Sequence, residues 1–187
     1  MFGSTFVTVC GLWGLLGSLS WSFAKKRRTM LAIMLCTQPG YGIYWAGLGD
    51  ATAAAMSVLA MLLTLLSAGL GGPEGSAMVR WTRRAFMAAL IPVAGISLLT
   101  WDGLPSAFAA AGMALGCAAR WQADGTRFQR LMLSTNLPWL AHDLMAGSAP
   151  ALASDLFGLA RAAWIGVAEF RRRRPAALRG IAVAVPA

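Results

Sequence analysis

Long apolar stretches separated by short polar linkers dominate this chain. Most of the stretches approach the roughly 20 residues that span a hydrocarbon core about 30 Å thick. Seven of them can be traced, at 2–24, 29–48, 51–70, 85–100, 104–119, 131–146 and 150–170. The pattern predicts an all-α membrane protein of about seven transmembrane helices, with no soluble domain.

The composition agrees with this interpretation. Hydrophobic residues make up 58% of the 187 positions and charged residues only 12%, far from the balance of an ordinary soluble domain. The lipid bilayer is therefore the first partner that the sequence predicts.

Basic residues occur in every second linker. Lys and Arg cluster at 25–28, 71–84, 120–130 and 171–174, whereas the linkers at 49–50, 101–103 and 147–149 contain none. Cytoplasmic loops of membrane proteins carry the excess of Lys and Arg. The alternation therefore predicts a bacterial inner membrane protein with a periplasmic N-terminus and a cytoplasmic C-terminal tail at 176–187. It also explains the net charge of +9 without nucleic-acid binding.

The chain resembles itself at an offset of about 100 residues. Trp21 matches Trp121, Arg27 matches Arg127, and Ala46-Gly47 matches Ala146-Gly147. An internal match of this kind predicts two parallel three-helix repeats. The predicted arrangement is 3+1+3 within one membrane domain at 1–175: repeat one at about 2–70, a linker helix at about 85–100 and repeat two at about 104–170. Chance similarity in an alanine-rich chain is the alternative.

Polar side chains inside the apolar runs are the candidate site residues, because charged or strongly polar groups are costly in the bilayer and usually mark a pathway or a structural pair. The candidate substrate-binding residues are Gln38, Asn136, Trp139, His142, Asp143, Asp155 and Arg161. Asn136, Trp139 and Asp143 follow i, i+3, i+7 spacing, so they share one helix face. His142 lies beside that face.

Asp143 and Arg161 are expected to interact near the membrane midplane, since each charge alone would be costly there. This pair either contributes to a substrate site or is a structural ion pair that only holds two helices together. His142 is the only histidine, and the cysteines at 10, 36 and 117 show no ligand spacing. We therefore expect no metal, no cofactor and, without a nucleophile beside a base, no enzymatic activity.

Two prolines and two sets of glycines bear on helix geometry. Pro39 and Pro138 fall in corresponding helices of the predicted repeats, where each removes a backbone hydrogen bond and favours a hinge. Small-residue faces that let helices approach closely are predicted at Gly11, Gly14, Gly17, Gly112 and Gly116.

These features together resemble the YgjV family of bacterial inner membrane proteins, which is distantly similar to the PQ-loop, SemiSWEET and SWEET superfamily. The resemblance is most specific at Trp139-Leu140-Ala141-His142-Asp143, at Ala146-Gly147-Ser148 and at Asp155. The chain departs from the expected pattern at Asp143, at Arg161 and in the reversed order of Gln38-Pro39. The resemblance implies a fold of three-helix repeats rather than a particular substrate.

Two functions are compatible with the sequence. The first is a facilitator or transporter of a small solute, with a polar site at the midplane between the repeats. The second is a membrane scaffold or partner-binding subunit that transports nothing and whose buried charges are structural. The solute, a coupling ion and homo-oligomer formation all stay open.

Overall fold

The computed structural model describes residues 4–73 and 75–179, with side chains up to residue 171. Over these residues the chain is helical and contains no strand. The first half comprises α1 (Ser4–Trp21), α2 (Arg27–Leu48), α3 (Ala51–Leu66) with a 3₁₀ extension (Ser67–Gly71), α4 (Ala77–Ala88) and α5 (Leu90–Leu99). The second half comprises α6 (Leu104–Arg120), α7 (Gly125–Ser134), α8 (Asn136–Ala146) and α9 (Ala149–Arg179).

Two pairs of these helices are the halves of longer rods. α4 and α5 meet at Ala89, and α7 and α8 meet at Thr135. In each case a proline lies three residues further on, at Pro92 and Pro138. Its missing N–H cannot bond the carbonyl four residues earlier, so the regular ladder is interrupted there. The described chain therefore forms seven helical rods, which confirms the predicted number.

The predicted hinge prolines have different local effects. Pro138 follows the interruption between α7 and α8, whereas α2 runs unbroken through Pro39 from Arg27 to Leu48. The boundaries also differ from the prediction in places. The fourth rod begins at Ala77 rather than at residue 85, and α9 continues to Arg179, beyond the predicted domain boundary. Residues 180–187 of the predicted tail lie outside the described part.

The surface of the bundle is apolar. Large side chains such as Ile91, Leu99, Leu137 and Trp164 are 65–88% exposed. Four segments are long and apolar enough to cross a membrane by length and composition: Ser4–Trp21, Ala51–Gly71, Ala77–Leu99 and Ala149–Arg171. Such a surface matches a hydrocarbon solvent and not water.

The rods pack in a pattern that relates the two halves of the chain. α2 packs against both α1 and α3, and α8 packs against both α6 and α9. Between the halves, α1 contacts α9 and α3 contacts α6. In the predicted repeats α1 corresponds to α6 and α3 corresponds to α9. The contact of α1 with α9 therefore corresponds to the contact of α6 with α3. The 3+1+3 arrangement itself stays a prediction.

The predicted glycine faces lie at close helix contacts. A Cβ added to Gly11, Gly14 or Gly17 of α1 would lie within 3 Å of Tyr44, Tyr41 or Thr37 of α2. Gly112 of α6 meets the indole of Trp139 in the same way. The absence of side chains at these positions lets the neighbouring helices approach closely.

The loops gather at the two ends of the bundle. The Asp50 end carries the turns at 49–50, 100–103 and 147–148, which are joined by hydrogen bonds such as Thr52 to Thr100 and Tyr44 to Ser148. The Arg27 end carries the turns at 22–26 and 121–124, where Arg27 bonds the carbonyl of Gln122. Basic linkers and linkers free of Lys and Arg therefore lie at opposite ends.

Candidate functional site: a polar cavity between the two halves

A cavity of about 130 Å³ lies in the interior of the bundle. Its walls come from α1, α2, α3, α6, α7, α8 and α9, and no described residue of α4 or α5 lines it. Its polar lining residues are Ser18, Gln38, Tyr41, Ser57, Arg120, Thr135, Asn136, Asp143, Ser154 and Asp155. The helices of both predicted repeats thus contribute to one polar space.

A hydrogen-bonded chain of charged groups leads from the Asp50 end to this cavity. Nε2 of His142 lies 3.0 Å from Oδ2 of Asp50, and Nδ1 lies 2.8 Å from Oδ1 of Asp143. The imidazole is completely buried, whereas the Asp50 side chain is 21% exposed. Asp143 in turn is within hydrogen-bonding reach of Asp155 on α9. Four titratable groups are therefore in direct succession.

Asp50 owes its position to helix capping. It is the N-cap of α3, and its Oδ1 accepts a hydrogen bond from the backbone N–H of Ala53 at 2.7 Å. Partial burial acts to raise the pKa of Asp50, but the hydrogen bonds from His142 and the Ala53 N–H outweigh it, so the pKa lies below its usual value. Asp50 is therefore an ionised partner for the imidazole at neutral pH.

Aromatic rings fix the imidazole. Trp45 and Trp139 both meet His142 edge to face, with ring centroids 5.1 Å and 5.3 Å from it. Trp139 reaches this place because Gly112 leaves room for its indole. Two large rings and two carboxylates thus hold His142 in one orientation.

The opposite end of the cavity is basic. Arg120, the last residue of α6, is only 2% exposed and points back along its helix. Its Nε donates to the hydroxyl of Thr64 at 3.1 Å and its Nη1 to the carbonyl of Gly116 at 3.3 Å. Nearby, Arg27 donates to Ser67 and to the carbonyls of Gln122 and Arg120. Hydroxyls and carbonyls, rather than carboxylates, are the partners found for both guanidinium groups in the described chain.

A family model described as a bacterial inner membrane protein matches residues 8–174 of the chain. The chain belongs to the Imp-YgjV family. Comparisons with curated proteins and with solved structures gave no match. Family membership and the apolar helices together place the protein in the bacterial inner membrane, as predicted. The wider similarity to PQ-loop proteins stays a prediction.

Most of the predicted site residues of this Imp-YgjV chain meet in the cavity. Gln38, Asn136, Trp139, Asp143 and Asp155 all line it, and His142 lies directly behind Asp143. Gln38 and Asn136 occupy the middle of their rods, so the cavity passes the centre of the bundle. Asp143 lies only three residues, or about 5 Å, from the end of α8.

The predicted contact between Asp143 and Arg161 is wrong. Asp143 bonds His142, and no ion pair joins Asp143 to Arg161 among the described residues. The guanidinium of Arg161 instead lies over the ring of Phe23, 5.0 Å from its centroid, and Arg161 does not line the cavity. Asp143 lies near the Asp50 end of α8, whereas the guanidinium of Arg161 lies over Phe23 in a turn at the Arg27 end, so the two groups differ in depth.

Two residues of the site were missed by the sequence analysis. Asp50 had been assigned to a turn and Arg120 to a basic linker. A signal for Asp50 was its position directly before the apolar run of α3, which is typical of an N-cap. Arg120 follows Gly116 by one helical turn, and the missing side chain there leaves room for its guanidinium. Arg120 continues an apolar run, which sequence alone does not distinguish from the start of a linker.

Asn136 also depends on a glycine. A Cβ on Gly158 of α9 would lie 2.1 Å from Nδ2 of Asn136, so α9 leaves space for the amide. Nδ2 donates to the carbonyl of Leu133 at 2.8 Å, near the interruption between α7 and α8. The interruption and the amide are therefore adjacent. In the described part of the chain no three His, Cys, Asp or Glu residues converge as a metal site.

Proposed function

We propose that the protein is a facilitator or transporter of a small polar solute in the inner membrane. The cavity between the two halves of the bundle carries this proposal. It gathers residues from both predicted repeats and contains a buried carboxylate oxygen, Oδ2 of Asp155, that has no hydrogen-bond partner among the described residues. An unpartnered buried polar atom is costly, and a polar solute would satisfy it.

The position of the cavity supports this function. Transporters built from repeats bind their solutes near the midplane where the repeats meet. Here α1 meets α9 and α3 meets α6 around the cavity, while the linker rod α4–α5 stays outside its lining. The interruption at Thr135 lies in the cavity wall, where the rod can bend without disturbing the rest of the bundle.

The size of the cavity limits the solute. A volume of about 130 Å³ accommodates about four waters or one solute of about six non-hydrogen atoms. We propose solutes in the range of urea, glycerol, glycine or acetate.

The orientation that we propose follows the basic linkers. The Arg27 end would face the cytoplasm and the Asp50 end the periplasm. Alkaline phosphatase, which is active only in the periplasm, should then work when fused after Asp50, Asp102 or Gly147 and be silent after Gly72 or Ala123. Activity at the second set and silence at the first would reverse the orientation.

A transport assay tests the function directly. Purified protein in liposomes should increase the entry of at least one of urea, glycerol, glycine and acetate over protein-free liposomes. Asn136→Leu should abolish this entry, because it replaces the central amide of the cavity wall with an apolar side chain. The control is Ser134→Leu, which adds the same side chain on the exposed face of the same rod. Entry at the wild-type rate in Asn136→Leu would place the route elsewhere, and no entry of any solute would favour the scaffold.

A further inference from the structure

The groups Asp50, His142, Asp143 and Asp155 form an unbroken path between the partly exposed turn at the Asp50 end and the cavity. Their successive contacts are 3.0 Å, 2.8 Å and a carboxyl–carboxyl contact. Both ring nitrogens of the buried imidazole meet carboxylates, so each nitrogen can exchange a proton with a titratable group.

The last member of the path points to an occupant. Asp155 is 6% exposed, lines the cavity and has a buried Oδ2 without a partner in the described chain. Two carboxylates in contact in a nonpolar interior cannot both stay ionised, so at least one of them holds a proton. That proton must come from solvent through the surrounding groups.

We infer that Asp50, His142, Asp143 and Asp155 are a proton relay that loads the cavity from the Asp50 end and makes transport depend on protons. Only the dependence of transport on protons rests on the proposed transport function. The relay itself is a property of the four groups and can be tested without any solute.

The transfer is balanced in protons. A solvent proton binds the carboxylate of Asp50 and passes to Nε2 of the neutral His142 ring, while the ring's Nδ1 proton passes to the carboxylate of Asp143. Asp50 ends as a carboxylate, the ring is again neutral with its proton on Nε2, and Asp143 is a carboxylic acid that can donate to Asp155. When the cavity opens to the opposite side of the membrane, the proton leaves Asp155 there. The ring loses its Nε2 proton and regains one on Nδ1 before the next transfer.

The other titratable and polar groups near the relay do not lie between its members. α2 contributes the phenol of Tyr41 beside Asp155 and Asp143, and α6 contributes Arg120 at the far end of the cavity. α1 contributes only Ser18 and Trp21 to the lining. Trp45 and Trp139 cover the imidazole, so its two nitrogens face only the carboxylates.

Infrared spectroscopy in lipid nanodiscs tests the relay. At neutral pH the wild type should show a protonated carboxyl band that is lost or altered in Asp143→Asn and Asp155→Asn. The band should be retained in Asp102→Asn, which changes an exposed aspartate at the same end. Absence of a band assignable to Asp143 or Asp155 would overturn the relay.

The path is tested by transfer to D₂O, which shifts the carboxyl band as the proton exchanges. His142→Gln should slow the exchange by at least about tenfold, because a positioned group typically speeds proton transfer by about a hundredfold or more. If His142→Gln does not fold, Asp50→Asn serves instead, because an amide cannot pass the proton on. Exchange at the wild-type rate in the variants that fold would overturn the relay.

Coupling is tested in liposomes that contain the pH dye pyranine. Entry of urea, glycerol or glycine should acidify the interior in the wild type and in Asp102→Asn. Asp155→Asn should admit the solute without acidification. Solute entry without acidification in the wild type would overturn the coupling and leave the transport function intact. Slow exchange in His142→Gln combined with no solute entry would overturn the transport function and leave the relay intact.

Discussion

The two ends of the cavity satisfy their charges in different ways. At the Asp50 end, titratable groups bond one another, as in the contacts of His142 with Asp50 and Asp143. At the Arg27 end, Arg120 and Arg27 bond hydroxyls and backbone carbonyls in the described chain. Removing one of these groups leaves a buried hydrogen-bonding partner unsatisfied, whereas removing a guanidinium that bonds only neutral groups leaves no stranded charge. The ends should therefore respond oppositely to substitution.

The largest effect is expected for Asp143→Ala. The change leaves Nδ1 of the buried His142 ring without its hydrogen-bond partner, which should destabilise the fold by about 1–3 kcal/mol. Unfolding in mixed micelles measures the difference, with Asp102→Ala as the exposed control. A loss as small as that of the control would mean that the imidazole contacts contribute little to stability.

Arg120→Met should have the opposite sign. Replacing a buried charge by an apolar side chain of similar length is neutral or stabilises by up to about 2 kcal/mol when no counter-charge is stranded. The Thr64 hydroxyl keeps its bond to the carbonyl of Ala60, and Arg27 bonds backbone atoms that remain. The same unfolding assay applies. Strong destabilisation would reveal a counter-charge for Arg120 and remove the contrast between the ends.

Acid should weaken the Asp50 end selectively. The pKa of Asp50 lies below the usual 3.8, so its ionised form stabilises the fold. That contribution is fully present above the usual value and is lost as the pH falls through the lowered pKa. Because the side chain is partly solvated, the loss should be under about 1 kcal/mol. Asp50→Asn should remove this part of the pH dependence below about pH 4, and an unchanged acid profile would contradict the assignment.

The smallest effect is expected between Asp143 and Arg161. Because Arg161 lies over Phe23 and not beside Asp143, the two substitutions to Ala should be additive to within about 0.5 kcal/mol. A double-mutant cycle measures the coupling. A coupling energy clearly above this value would restore the ion pair that the sequence suggested.

The sequence predicted the seven rods and five of the residues that line the cavity because both depend on properties local to one helix. Length and hydropathy define the rods, and helical spacing places Asn136, Trp139 and Asp143 on one face. The partners of Asp143 and Arg161 depend instead on the depth that each side chain reaches and on the neighbouring helix that it meets, which no spacing within one helix reveals. The burial of Arg120 likewise depends on Thr64 and Gly116 at a contact between helices. Asp50 joined the site only because the turn folds back onto His142.

The glycine contact between α1 and α2 has a mechanical consequence. Tyr44, Tyr41 and Thr37 fit against Gly11, Gly14 and Gly17 so closely that the two helices cannot slide past one another without steric overlap. α2 also runs through Pro39 without a break, whereas the corresponding rod in the second half is divided at Thr135. Motion should therefore be unequal in the two halves. We therefore expect the first half to be the more rigid one and bending at Thr135 to move α8 against it.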